Sequence, residues 1–140
     1  MNIFFDVDFT ILGLDNTLRP GTRELFDKLV KDGHKIYIWS GVGARHQEIK
    51  NHELGAFVSG IYTKPLENFR VNLERCGIPI VPDFVLDDYP EIVAAFGGVY
   101  MLPYLFYKAS DDEMEKVYRI LSEYICKGYS EDHRFRLKEC

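Results

Sequence analysis

Short apolar runs alternate with segments of helical periodicity along this chain, and this alternation limits its fold more than any other feature. The apolar runs lie at 2–7, 35–39, 56–62, 83–86 and 98–102. Helical patterns lie at 22–32, 44–54, 66–76, 90–96 and 111–126. Strands that alternate with helices are typical of a parallel sheet covered by helices on both faces. The sequence therefore predicts a single α/β domain over 1–140, with a three-layer, Rossmann-like sheet.

Composition narrows the class of protein without naming a function. A chain of 140 residues with 46% hydrophobic residues can bury a core of one domain. Its formal net charge of -5 argues against a broad nucleic-acid-binding surface. Three cysteines without CxxC spacing indicate neither a disulfide framework nor a zinc site. With no leader-like pattern and no long apolar stretch, we expect a cytoplasmic protein with no membrane partner.

Two aspartates close the first apolar run, in the order Asp6-Val7-Asp8. Residues two apart on a strand point to the same side, so both carboxylates can converge on one point. A strand that is apolar on both faces is normally buried, and a buried carboxylate requires a cation, a proton or a substrate. The pair alone is equally compatible with a polar strand end before a turn.

Further polar residues follow the other predicted strands. Ser40 ends the second, Lys64 follows the third, and Asp87-Asp88 ends the fourth. In parallel α/β sheets ligands bind beyond the carboxyl ends of the strands, where these segments would meet. Each residue taken singly is more often a solvated turn residue, but their coincidence at one edge indicates a site.

Several carboxylates around one point suit Mg²⁺, which takes one or two carboxylates together with waters and phosphate oxygens. A lysine and a hydroxyl can neutralise the nonbridging oxygens of a phosphoryl group. Of two neighbouring aspartates, one can attack phosphorus and the other can transfer protons. The residue set therefore predicts phosphoryl transfer.

The four motifs Asp6-Val7-Asp8-Phe9-Thr10, Ser40-Gly41, Lys64-Pro65 and Asp87-Asp88 resemble those of the haloacid dehalogenase-like (HAD) phosphohydrolases, in the same order. The resemblance spans residues 3–88. It implies a Mg²⁺-dependent phosphatase that hydrolyses a phosphate monoester through an aspartyl-phosphate. It departs at Phe9, where many members have glycine.

The resemblance also implies a role for each residue. Asp6 would be the nucleophile and a metal ligand, and Asp8 the general acid/base, with its backbone carbonyl on the metal. Ser40 and Lys64 would hold the phosphoryl group. Asp88 would bind the metal and Asp87 would support it. Further candidate substrate contacts are Thr10, Gly41 and Arg45, although the Thr10 hydroxyl is better suited to bracing its loop.

The segment 11–21 corresponds in this resemblance to a short flap hairpin, whose polar residues Asp15, Asn16 and Arg19 are expected to be exposed. The flap and the interval between Ser40 and Lys64 are both too short for a cap domain. A capless member is implied to act on a bulky phosphorylated substrate, or on a small one covered by a neighbouring subunit of a homo-oligomer.

Three alternatives stay open from the sequence. A non-catalytic binding or assembly module could keep the fold, and a phosphotransferase could use the same site. A response-regulator receiver domain also uses an acidic pocket and a lysine, but its acceptor aspartate normally ends the third strand. The charged segment after Gly128 is expected to fray.

Overall fold

The computed structural model describes residues 1–139. Its sheet has six strands: β1 (Asn2–Asp6), β2 (Lys35–Ser40), β3 (Val58–Thr63), β4 (Phe84–Asp87), β5 (Gly98–Tyr100) and β6 (Phe135–Arg136). The spatial order is β3-β2-β1-β4-β5-β6, with β1 to β5 parallel and β6 antiparallel to β5. Residues 1–139 also contain four α-helices: α1 (Thr22–Lys31), α2 (His46–Asn51), α3 (Pro90–Phe96) and α4 (Glu113–Lys127). The predicted α/β fold with a mostly parallel sheet is confirmed.

Alternating side chains of the central strands build two separate apolar cores, one on each face of the sheet. Strand residues that face α1 and α4 include Ile3, Phe5, Ile36, Ile38 and Leu86. Those that face α3 and the segment before β4 include Phe4, Tyr37, Trp39 and Val85. Because successive residues of a strand point to opposite faces, a continuously apolar strand is needed to fill both cores. This burial fixes the register and thus the position of each strand end.

The helix predicted over 66–76 does not form as a regular helix. Turns occupy 69–77, although the amide of Asn72 donates to the Asn68 carbonyl at 3.0 Å and that of Cys76 to the Asn72 carbonyl at 3.1 Å. Asn68 has a φ of 45°, which a continuous right-handed helix does not allow. The apolar spacing is still used, since Leu73 packs in the second core.

The expectation that the chain frays after Gly128 is wrong. Gly128, at a φ of 81°, ends α4 in the left-handed conformation, and the chain then runs back along this helix. Ser130 donates to Glu123 at 2.9 Å, Arg119 pairs with Asp132 at 2.9 Å, and buried Arg134 pairs with buried Glu113. These contacts position β6 beside β5 at the edge of the sheet. A charged composition hid them because the partners of Asp132 and Arg134 lie on α4.

The described residues 1–139 contain no helix that combines the length and the apolar character required to cross a membrane.

Candidate metal and phosphoryl-transfer site

The carboxyl ends of the parallel strands bring the predicted site residues to one edge of the sheet. Asp6 is the last residue of β1, Ser40 the last of β2 and Asp87 the last of β4. Lys64 directly follows β3, and its amide donates to the Ser40 carbonyl at 2.9 Å. The segments distant in sequence therefore meet where the sequence predicted.

The ammonium group of Lys64 lies between two buried carboxylates. Its Nζ donates to Asp6 Oδ1 at 3.1 Å and to Asp87 Oδ2 at 2.8 Å. All three side chains are at most 9% exposed. At such low exposure charge-assisted hydrogen bonds are strong, so the lysine holds the ends of β1 and β4 in a fixed relation.

Asp88 completes an acidic cluster with Asp6 and Asp87. One carboxylate oxygen from each residue lies within 4.8 Å of those of the other two, and Asp88 is half-buried. The oxygens of Asp87 are already engaged, Oδ2 with Lys64 and Oδ1 with the Tyr89 amide at 2.9 Å. Three carboxylates around one lysine leave an excess of negative charge, and oxygen donors of this kind suit a hard divalent cation.

Burial and the neighbouring charges shift the pKa values of the cluster. Burial raises the pKa of Asp6 well above its ordinary value, and the Asp87 carboxylate raises it further although Lys64 opposes both. Burial also raises the pKa of Asp87 to about 6, against the lowering effect of Lys64. Burial alone would lower the pKa of Lys64, but Asp6 and Asp87 outweigh it and the pKa rises. The ammonium form of Lys64 is thereby favoured, and this one cation faces three carboxylates.

The carboxylate of Asp8 lies apart from this cluster and has its own partners. Ser40 Oγ donates to Asp8 Oδ2 at 3.2 Å, and the guanidinium of Arg45 pairs with Asp8 Oδ1. Arg45 also contacts Glu48 at 3.5 Å across the first turn of α2. The two aspartates of the motif therefore have different environments, Asp6 beside an amine and Asp8 between a hydroxyl and a guanidinium.

The loop after β1 is held in an unusual conformation. Phe9 has a φ of 65°, in the left-handed region that a residue with a Cβ enters at a cost of about 1 kcal/mol. The Phe9 amide donates to the Leu12 carbonyl and its own carbonyl accepts from Tyr104, each at 2.8 Å. Buried Thr10 donates through Oγ1 to Asp6 Oδ2 at 3.3 Å. The loop thus orients the Asp6 carboxylate from the side opposite Lys64.

Gly41, the second residue of its motif, lies under the Leu66 side chain. A Cβ at this position would lie 2.7 Å from Leu66 Cδ2, so the leucine side chain would have to move. Gly41 therefore leaves room for the Leu66 side chain in the position that it occupies.

The expectation of an exposed Arg19 is wrong, and its role was missed. Arg19 is 2% exposed, and its Nε donates to both carboxylate oxygens of Asp111 at 3.0 and 3.1 Å. Its Nη1 donates to the Thr10 carbonyl at 3.2 Å, and its guanidinium lies 5.4 Å from the Tyr104 ring centroid. Arg19 thus ties the loop that carries Thr10 to the segment before α4. The partner lies 92 residues away in sequence, so no local pattern could reveal the pair.

The cluster of Asp6, Asp87 and Asp88 can bind a divalent cation. Within it, the Asp6 carboxylate lies beside the Lys64 ammonium group and the Thr10 hydroxyl. Comparisons of the chain with protein-family models, with curated proteins and with solved structures found no match, so the functional assignment depends on the geometry of the site.

Proposed function

We propose that this protein is a capless HAD-like phosphatase that depends on Mg²⁺ and hydrolyses a phosphate monoester through an aspartyl-phosphate. The observation that carries the proposal is the Lys64 amine between the carboxylates of Asp6 and Asp87, with Asp88 beside them. A purely structural ion-pair cluster would be expected to balance its charges, because unpaired buried carboxylates destabilise a fold. An excess of carboxylates at a sheet edge is better explained by a bound cation.

The donor set supports magnesium. Asp6 and Asp88 would hold the ion together with the backbone carbonyl of Asp8, and Asp87 would support them, because both its oxygens already accept hydrogen bonds. When bound, such an ion neutralises charge on phosphoryl oxygens and acts as a Lewis acid.

Asp6 is the proposed nucleophile. Thr10 and Lys64 each contact one of its oxygens, which limits its rotation. An oxygen of Asp6 attacks phosphorus, a bond forms between them, and the bond from phosphorus to the ester oxygen breaks. Lys64 and Ser40 stabilise the negative charge on the transferring phosphoryl oxygens.

Asp8 is the proposed general acid and base. In its acid form it gives a proton to the departing ester oxygen, so that an alcohol leaves. As a carboxylate it then takes a proton from water, whose oxygen attacks phosphorus and releases Asp6 and inorganic phosphate. The hydrogen bond from Ser40 and the ion pair with Arg45 fix the side chain in its carboxylate form. The sum is ester plus water giving alcohol plus phosphate.

The direct test is hydrolysis of p-nitrophenyl phosphate with Mg²⁺ and with EDTA. We expect turnover that EDTA abolishes and that Asp6→Asn lowers by at least about a thousandfold. Asp27→Asn is the matched control, because Asp27 lies on α1 and its side chain, 46% exposed, pairs with Lys31 across one helical turn. Full activity in Asp6→Asn would refute the covalent mechanism. Absence of both turnover and Mg²⁺ binding would instead favour a non-catalytic binding module.

A further inference from the structure

Arg19 is a buried cation that is connected to the proposed nucleophile by two successive hydrogen bonds. Its Nη1 donates to the Thr10 carbonyl at 3.2 Å, and the Thr10 hydroxyl donates to Asp6 Oδ2 at 3.3 Å. Arg19 is 2% exposed and Thr10 is fully buried, so solvent does not weaken these hydrogen bonds. A single residue therefore separates the guanidinium from the Asp6 carboxylate.

The guanidinium of Arg19 is itself fixed by its other contacts. Its Nε donates to both carboxylate oxygens of Asp111 at 3.0 and 3.1 Å, and its central carbon lies 5.4 Å from the Tyr104 ring centroid. The backbone amide of Arg19 also donates to the Ile11 carbonyl at 2.8 Å. Because main chain and side chain are both restrained, Nη1 is a donor of well-defined position.

The loop that carries Thr10 needs this support because its backbone is strained. Phe9 has a φ of 65°, a conformation that costs about 1 kcal/mol for a residue with a Cβ. The Tyr104 amide donates to the Phe9 carbonyl at 2.8 Å, and Arg19 donates to the next carbonyl along the chain, that of Thr10. Two consecutive carbonyls of the loop are thus held by donors from other segments.

Stability alone does not explain a buried ion pair at this position. Both charges lose their water on burial, so apolar side chains of similar volume are often as stabilising as the pair. An apolar side chain, however, offers no donor to the Thr10 carbonyl. The property that only the charged pair supplies here is a directed hydrogen bond to the loop.

We propose that Arg19 is a positioning residue that sets the orientation of the Asp6 carboxylate through Thr10. Its effect on turnover rests on the proposed phosphatase function. Lys64 restrains Asp6 Oδ1 and Thr10 restrains Oδ2, so loss of the Thr10 contact lets the carboxylate rotate. A nucleophile displaced by about 1 Å can lose about 100-fold in rate, and the same rotation weakens Asp6 as a metal ligand.

The turnover test uses Arg19→Met/Asp111→Leu, which removes both charges of the pair and leaves neither one buried alone. With p-nitrophenyl phosphate at saturating Mg²⁺, we expect kcat to fall by about 10-fold to 100-fold and KM to change by less than about threefold. Thr10→Val should cause a similar fall. Adding the two substitutions to Thr10→Val should lower kcat by no more than about a further twofold, because both changes remove one shared contact with Asp6.

The matched control is Arg134→Met/Glu113→Leu. It removes a second buried ion pair, which joins the residue before β6 to α4, and should leave kcat and KM within about twofold of the wild type. Arg19→Lys is the second test variant in case the double variant does not fold. It keeps a cation beside Asp111 but offers one nitrogen in place of two, and we expect it to lower kcat with little change in KM.

A binding test separates positioning from catalysis. Calorimetric titration with MgCl₂ measures the affinity of the acidic cluster, to which Asp6 supplies one oxygen. Arg19→Met/Asp111→Leu and Thr10→Val should each weaken Mg²⁺ binding by about tenfold, with little further loss when they are combined, and the control variant should bind as the wild type does. If this pattern holds but the wild type hydrolyses no ester, the positioning role is supported and the phosphatase function is rejected.

Two outcomes would overturn the positioning role while the phosphatase function stands. One is that folded Arg19 variants keep the kcat and the Mg²⁺ affinity of the control variant. The other is that the Arg19 substitutions lower kcat by the same factor with valine at position 10 as with threonine, because Arg19 would then act by a route other than Thr10. A wild type that neither hydrolyses the ester nor binds Mg²⁺ would overturn both proposals.

Discussion

Two buried charge clusters lie close together at the same end of the molecule and differ in their balance. Arg19 faces Asp111 one to one, and the remaining contacts of the guanidinium are to the Thr10 carbonyl and the Tyr104 ring. The other cluster sets Asp6, Asp87 and Asp88 against Lys64. Both are built from residues distant in sequence, so their difference is one of charge.

The comparison teaches how to separate a structural charge cluster from a functional one. A balanced pair in which most donors and acceptors are satisfied can be buried without a ligand. Burial, followed by repulsion from neighbouring carboxylates, raises the pKa of Asp6 and of Asp87, so protons or a cation would stabilise this cluster. The balanced cluster holds the loop in place, and the unbalanced cluster is where a ligand would bind.

The largest effect on stability is expected from breaking the ion pair between Arg19 and Asp111. Arg19→Ala leaves Asp111 without its partner and should lower the free energy of unfolding by about 3–5 kcal/mol, with a fall in Tm of roughly 10 °C or more. Urea denaturation monitored by circular dichroism measures it. The double variant Arg19→Met/Asp111→Leu removes both charges and should be less destabilised than Arg19→Ala. A loss below about 1 kcal/mol in Arg19→Ala would show that the pair is not structural.

The unbalanced cluster should make the metal-free protein less stable as pH rises. The pKa of Asp87 is raised to about 6 from 3.8. The folded state therefore binds more protons than the unfolded chain between these values, and the free energy of unfolding falls as pH rises through them, by about 3 kcal/mol for this group. The raised pKa of Asp6 acts in the same direction.

The measurement is the difference in unfolding free energy between the wild type and Asp87→Asn from pH 4 to 8 in EDTA, which cancels the titrating groups outside this cluster. The variant should gain relative stability as pH rises. Adding Mg²⁺ should raise the stability of the wild type more at pH 7.5 than at pH 5. A difference that is independent of pH would contradict the assignment of excess charge to this cluster.

A smaller effect distinguishes the two residues of the acidic doublet. Asp88→Asn should weaken Mg²⁺ binding more than Asp87→Asn does, because the oxygens of Asp87 are taken by Lys64 and the Tyr89 amide. We expect a loss of about 10-fold to 100-fold for Asp87→Asn, as is usual for residues that support metal ligands, and a larger one for Asp88→Asn. Calorimetric titration with MgCl₂ measures both. The reverse order would make Asp87 the direct ligand.

The smallest effect on stability is expected from breaking an exposed ion pair. Lys31 and Asp27 form an ion pair at 2.7 Å on α1, with side chains 74% and 46% exposed. Lys31→Ala should change the free energy of unfolding by less than about 0.5 kcal/mol in urea denaturation, because solvent and salt screen the pair. A loss comparable to that of Arg19→Ala would remove the contrast between buried and exposed pairs.

Much of the fold was predictable because it depends on local patterns. Apolar runs placed the five parallel strands, and the convergence of Asp6, Ser40, Lys64 and Asp87 followed from the rule that parallel strands end at one edge. The prediction of a helix over 66–76 was wrong because irregular turns that pack on one face can show the same apolar spacing as a helix. There, the positive φ of Asn68 decided the conformation.

Sequence reasoning missed the residues whose role depends on a partner far away in the sequence. Arg134 looked like one charge in a fraying tail, yet it is buried against Glu113. Arg19 looked like a turn residue on the flap, yet it anchors the loop of Thr10. An isolated charge favours the surface, and only a partner brought to it by the fold makes burial tolerable.

By itself the sequence determined the order of the five parallel strands and the edge of the sheet at which the polar residues gather, because hydrophobic periodicity and strand direction are properties of the chain. The tertiary structure alone decided which charges are balanced and which are in excess, because charge balance is set by contacts between segments far apart in the chain and by the low dielectric around them.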